Sequence, residues 1–339
     1  MTRLKAFGLG FTALSAACVL ANPAFARDQI RIAGSSTVYP FSSYVAEEFG
    51  AVTDFSSPVV ESTGTGGGFK LFCEGVGEQT TDISNASRQM KKSEFETCQQ
   101  NGVESITEAK IGFDGIVIGQ AADMEPLALT REQLAMAVLK QVPKNGELVP
   151  NAYKRWNEID SSLPDREIVV YGPPTTSGTR DAFEELVLEE VTQEMDAYDG
   201  EKYSEIRTDG VYIPSGENDN LIVQTLERNK DAVGIFGFSF LEENKDRIQA
   251  STVDGVEPTR DNISSGDYPV SRSLFFYTKN AHFGVIPGME EFVELFMSEK
   301  MIGDRGALKK IGLIPLPKDE RETRREAVME RKQLSASDL

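Results

Sequence analysis

Residues 61–70 read ESTGTGGGFK. Gly64, Gly66, Gly67 and Gly68 crowd into five positions beside Ser62, Thr63 and Thr65. Inside a regular element each glycine costs roughly 0.5–1 kcal/mol relative to alanine, so the run marks a junction. The flanks identify it. PVVEST, residues 58–63, has the β-branched density of a strand, and GGGFKLFCEGV, residues 66–76, has helical apolar spacing. Glycine at such a junction lets a ligand approach the free backbone N–H groups of a helix start.

The same alternation continues along the chain. QIRIAG, GIVIGQ and EIVVYG read as strands; YPFSSYVAEEFG, LTREQLAMAVLK and SGTRDAFEELVLEEV read as helices. Met289, Phe292, Val293, Phe296 and Met297 follow the i, i+3, i+4, i+7, i+8 spacing of a buried helix face. Strands alternating with helices predict an α/β protein with mainly parallel sheets, whose ligands sit where strand ends meet helix starts. The charged end, KDERETRREAVMERKQLSASDL, reads as a solvated helix and tail.

Two further junctions share the chemistry of the first. Gly34-Ser35-Ser36-Thr37 precedes a helix with an early Pro40, and Thr175-Thr176-Ser177-Gly178-Thr179 precedes another. One such cluster is usually an ordinary helix cap. Three of them together predict a cage of N–H and O–H donors for a small anion. Arg88 and Arg180 lie close by in sequence and can add bidentate donors. The glycine run is no nucleotide motif. Phe69 stands where the dinucleotide fingerprint needs glycine, and no Gly-Lys-Ser/Thr follows.

Met1–Ala26 has the form of a secretory leader: Arg3 and Lys5, an apolar run from Ala6 to Leu20, then Ala24-Phe25-Ala26 before the expected cut. Two of the 35 basic residues and none of the 54 acids leave with it, which takes the net charge from −19 to −21. Such a chain repels nucleic acid. The remaining length, about 313 residues, predicts two lobes. Cys18 leaves with the leader, and Cys73 and Cys98 remain as either a disulfide of the oxidising compartment or two separate buried thiols.

AGSSTVYP, STGTGGGFKLFCEG, DISNASR, GPPTTSGTRDAF, ENDNLIVQTLERNKDAVGIFGFSFLEEN and VDGVEPTRDNISSGDYPVSRSLFFY, spread over about residues 30–280, resemble in order the blocks of the periplasmic phosphate-binding component of phosphate-specific ABC transporters. The resemblance implies a two-lobed type II periplasmic binding protein with a ligand cleft between the lobes. FDGIVIG and SRSLFFYTK resemble its two crossings. Lobe I is then expected from residues 27–115 plus 276–339, and lobe II from 116–275. It further implies inorganic phosphate as ligand and an ABC permease as partner; the leader predicts a periplasmic location, nothing in the sequence suggests an oligomer seam, so a monomer is expected, and no cofactor or metal is expected.

Carried over residue by residue, the family's phosphate loops fall on Ser36, Thr37 and Val38, with Ser35 beside them; on Thr65 and Gly66; and on Ser177, Gly178 and Thr179. Two positions depart from the pattern. The turn that carries an Asp in the best-known branch reads Ala86-Ser87-Arg88, and the Arg expected ahead of Ser-Gly-Thr falls at Pro173. Arg88 is therefore the expected substitute cation. The missing Asp leaves open how phosphate, which carries a proton, is told from sulfate, which does not. Asp219 and Glu217 are the candidate acceptors. Sulfate, molybdate or tungstate binding is the main alternative. A phosphatase is the weaker one, since the sequence holds a single histidine, His282, with no metal-spaced partners.

Overall fold

The computed structural model describes residues 27–175, 177–215 and 219–339; the leader, Thr176 and Glu217 lie outside the described residues, as does the Asp219 side chain. The strands are β1 (Arg31–Gly34), β2 (Val59–Ser62), β3 (Ile83–Ala86), β4 (Ile106–Ala121), β5 (Ala128–Leu129), β6 (Gln141–Lys144) and β7 (Glu147–Pro150). They continue as β8 (Val170–Gly172), β9 (Tyr212–Pro214), β10 (Val233–Gly237), β11 (Ile248–Ala250), β12 (Thr252–Val253) and β13 (Ser271–Lys279).

One curled sheet runs β2-β1-β3-β13-β4-β10-β8-β9, with β11 also on β4; β5-β12 and β6-β7 are small separate ribbons. The three strands at each end of this order pair in parallel. β4 joins the two halves and is antiparallel to its neighbours. Its residues up to Gly115 pair with β13, and those from Ile116 onward pair with β10 and β11. Sixteen consecutive residues, thirteen of them buried and three half-buried, suit a strand covered on both faces.

Apolar burial follows the same division. One core gathers Ile32, Val45, Phe49, Phe276, Phe292 and Phe296 around the first half of the sheet. Another gathers Val117, Trp156, Phe183, Leu226 and Phe236 around the second. The chain returns once more near its end, where Ile314 and Phe113 exchange backbone hydrogen bonds of 2.8 and 2.9 Å. The two halves are the lobes of an α/β protein, as the alternation of elements requires.

Cys73 and Cys98 form a disulfide, with Cα atoms 4.2 Å apart, inside a third cluster around Phe69, Phe72 and Tyr277. Replacing both by alanine is expected to lower the unfolding free energy by about 3 kcal/mol, because a 25-residue separation in the unfolded chain is no longer closed. Urea titration of the double variant beside the oxidised parent checks it; equal midpoints would contradict it.

The charged end differs from its sequence reading. It does form a helix, Lys318–Met329, but the helix and tail are docked. Arg321 is 2% exposed, paired with Glu299 and Asp304 and donating to the Leu316 carbonyl at 2.6 Å. Beyond the helix, Leu334 is buried and its N–H donates to the Ile106 carbonyl at 2.8 Å. Composition counted the charges and could not show that Arg321 has acidic partners waiting two segments upstream.

Candidate anion-binding cleft

The helix α1 (Tyr39–Val52) begins just beyond β1, with Pro40 in its first turn. Ser35 anchors the junction: its N–H donates to the Asn85 carbonyl at 3.0 Å, and its Oγ accepts from the Val38 N–H at 3.3 Å. Val38 itself is fully buried in the first core. Thr37 is buried and Ser36 half-buried, both at the seam between the lobes.

The helix α2 (Gly64–Phe72) holds all four glycines of the opening stretch, and they do different things. Gly64 has φ +71°, the left-handed conformation that glycine favours. A Cβ on Gly66 would meet open space at the cleft. A Cβ on Gly68 would lie 2.5 Å from the Gly34 Cα and 2.9 Å from the Ala33 carbonyl, so this glycine seats the helix on β1. Ligand approach therefore explains only part of the run. Thr65 Oγ1 accepts from the Ser87 N–H at 3.1 Å and lies 3.0 Å from the Ser87 Oγ, which ties the second junction to the turn after β3.

The third junction comes from the other lobe. Ser177 caps the helix Gly178–Phe183, its Oγ accepting from the Thr179 N–H at 3.2 Å. Thr37 Oγ1 donates to the Gly178 carbonyl at 3.4 Å, and Ser36 Oγ donates to Asp181. The first and third junctions thus meet across the seam.

Two adjoining hollows result, and Ser36 lines both. One also takes in Ser35, Thr65, Gly66, Ser87 and Arg88; the other takes in Thr37, Ser177, Gly178 and Thr179. Neither the Val38 nor the Arg180 side chain lines them. Arg180 is turned into its own lobe, pairing with Glu184 at 2.5 Å and lying over the Tyr212 ring at 4.8 Å. Arg88 lines the first hollow but is already engaged. Its terminal nitrogens donate to Glu94 at 2.8 and 2.9 Å, and its guanidinium lies over Phe69.

Sequence reasoning missed three charged residues here. Arg272, on β13, donates from Nη2 to Thr37 Oγ1, pairs through Nη1 with Glu185, and has Nε 3.8 Å from Asp114. Burial pushes the Asp114 carboxyl up from its ordinary value, and the Arg272 charge opposes this. Asp181 faces Ser36 from the far lobe. The available signals were the cation that opens SRSLFFYTK ahead of its apolar run and the acid that precedes the apolar run of FDGIVIG.

Donors dominate the loops, and carboxylates from the second lobe close over them. The arrangement can hold a small oxyanion by hydroxyl and backbone N–H groups while a buried guanidinium balances its charge. Among the described residues the seam's serines have carboxylate, hydroxyl or backbone N–H partners, and His282 is buried against Asp82 in the first lobe.

Known proteins agree with this reading of the fold. Residues 21–300 match the family model of the PBP superfamily domain. Protein SphX of Synechococcus elongatus is 32% identical over 84% of this chain and 76% of its own. The phosphate-binding protein PstS of Staphylococcus saprophyticus is 30% identical over 85% of this chain and 80% of its own. Among solved structures, a possible phosphate binding protein from Planctomyces limnophilus superposes with a TM-score of 0.74 at 30% identity, covering 90% of this chain and 99% of that one. An ABC-type phosphate transport receptor from Vibrio cholerae, at 22% identity and a TM-score of 0.58, shares the fold. The chain belongs to the PBP superfamily and, within it, to the family of SphX and the phosphate-binding protein PstS.

Proposed function

We propose that this protein captures inorganic phosphate outside the cytoplasmic membrane and hands it to an ABC permease. The observation that carries the proposal is the meeting of three hydroxyl-rich helix starts from two lobes at one seam, around Ser36, Thr65 and Gly178. Family membership supports both ligand and partner. The ligand contacts are Ser36, Thr37, Thr65, Gly66, Ser87, Ser177, Gly178 and Thr179, with Val38 contributing only backbone. The protein acts as a periplasmic monomer, without catalysis.

Lobe I comprises residues 27–115 and 271–339, and lobe II residues 116–270. Pairing of β13 with β3 and the first part of β4 supports a second boundary before Ser271 rather than after Phe275. Donors on both lobes are required by the mechanism, since a ligand closes a cleft only as far as it binds the closed form better. Asp114 and Asp181 supply acceptors that a protonated oxyanion satisfies and sulfate does not.

Isothermal titration of the ligand-stripped protein with phosphate, repeated in excess sulfate, tests the reading. Phosphate heat that survives sulfate is expected. Heat lost to sulfate, or given only by molybdate or tungstate, would move the function to another oxyanion.

A further inference from the structure

Resting on the oxyanion-capture reading, we infer that Arg272 is the charge anchor of the cleft and that Glu185 is a built-in competitor for it, a carboxylate the incoming anion must displace. Arg272 is the second residue of β13, opposite Asp114 and beside the point where β4 passes from one lobe to the other. Its side chain is 6% exposed. The guanidinium addresses three parts of the molecule: Nη2 the first loop through Thr37, Nη1 the second lobe through Glu185, and Nε the joining strand near Asp114 without a hydrogen bond. Arg88 and Arg180 have partners on their own lobe. Arg272 is thus the cleft arginine that spans the seam.

Glu185 is placed to be displaced. It stands in a π-helical segment, Glu184–Glu189, that interrupts the helix after the third junction; such wide turns recur at functional sites because they re-aim side chains. Its side chain is 40% exposed, so it can turn into water, and the hydrogen bond it makes among the described residues is to Arg272. A carboxylate oxygen and a phosphate oxygen are equivalent acceptors for Nη1. An anion that engages Arg272 therefore trades one acceptor for another. Affinity is held below what the guanidinium alone would allow.

Titration with inorganic phosphate of the parent, Glu185→Gln, Glu189→Gln, Arg272→Gln and Glu185→Gln/Arg272→Gln tests this. Glu189 is the control: it lines the same hollow but pairs with Lys202 at 2.9 Å. Glu185→Gln is expected to tighten binding by about three- to tenfold, the scale of a partly exposed ion pair near a charge. Glu189→Gln, with the same change of charge, shifts it less than about twofold. Arg272→Gln weakens binding by at least about a hundredfold, and Glu185→Gln then adds nothing, as coupling through one guanidinium requires. Glu185→Gln that leaves binding unchanged, weakens it, or tightens it no more than Glu189→Gln overturns the inference. That comparison stands even if Arg272→Gln does not fold. A parent protein giving no heat with phosphate or sulfate overturns the capture reading instead.

Discussion

Gly178→Val is expected to lower phosphate affinity by about a thousandfold while leaving the urea midpoint of the ligand-free protein nearly unchanged. A Cβ at Gly178 would lie 3.0 Å from both the Ser36 carbonyl oxygen and the Thr37 Cα. These are backbone atoms of the opposite lobe, so neither can swing aside. Valine adds two methyl groups to that contact and holds the seam open. A seam held open separates Ser177 and Thr179 from the donors at Ser36 and Thr65. Losing two charge-assisted hydrogen bonds at about 2 kcal/mol each amounts to about 4 kcal/mol, or three decades in affinity. Stability is spared because Gly178 is half-buried and lies in the first turn of its helix, where its own lobe makes no demand for glycine. Gly178→Ala should fall between the two, since one methyl needs only a few tenths of an ångström. An affinity for Gly178→Val within tenfold of the parent would mean that closure on the anion does not require this approach.

The loops were legible because their chemistry is local. A helix start needs its cap and free N–H groups within a few residues, so GSST, STGTGGG and TTSGT announce themselves in one dimension, and the strand-helix alternation announces the layers. What was not legible depends on partners far away in the chain. Arg272 reads as a cation at the start of a strand until the fold brings Thr37 and Glu185 to it, across separations of 235 and 87 residues. Gly68 looks like its neighbours, yet its constraint is the backbone of β1. Arg88 was the sequence's substitute cation on the strength of its position; Glu94, six residues on, already holds it. The docked tail is invisible for the same reason, because Arg321 meets Glu299 and Asp304 only in three dimensions.

Asp82→Ala is expected to destabilise the first lobe by about 3–5 kcal/mol, the usual result of leaving buried charge uncompensated. Asp82 is fully buried. Both its oxygens accept from Arg27 at 2.5 Å, one also accepts from the Arg31 N–H at 2.7 Å, and the other lies 2.6 Å from the His282 Nδ1. His282 Nε2 accepts from the Gly77 N–H at 3.0 Å, which places the imidazole proton on Nδ1, toward the carboxylate. Alanine removes four hydrogen bonds to three partners at once and strands Arg27 beside Lys279, itself fully buried, with its ammonium donating to the Gly75 carbonyl at 2.6 Å and to Thr80 Oγ1 at 2.9 Å. Burial pushes the Lys279 ammonium down to about 8, against the pull of Asp82. The unfolded chain holds that proton up to about pH 10.4, so between about pH 8 and 10.4 it binds more protons than the folded one, and stability rises with pH across this window. Below about pH 8 the penalty of a buried ammonium is present in full. The measurement is the urea midpoint of the parent, Asp82→Ala and Lys279→Met from pH 7 to 10. Asp82→Ala should be the least stable at pH 7 and should still bind phosphate within about twofold when folded, because the cluster lies away from the seam and contributes no donor to it. The parent should gain on Lys279→Met as pH rises; a constant difference between the two would show that Lys279 does not titrate in this window.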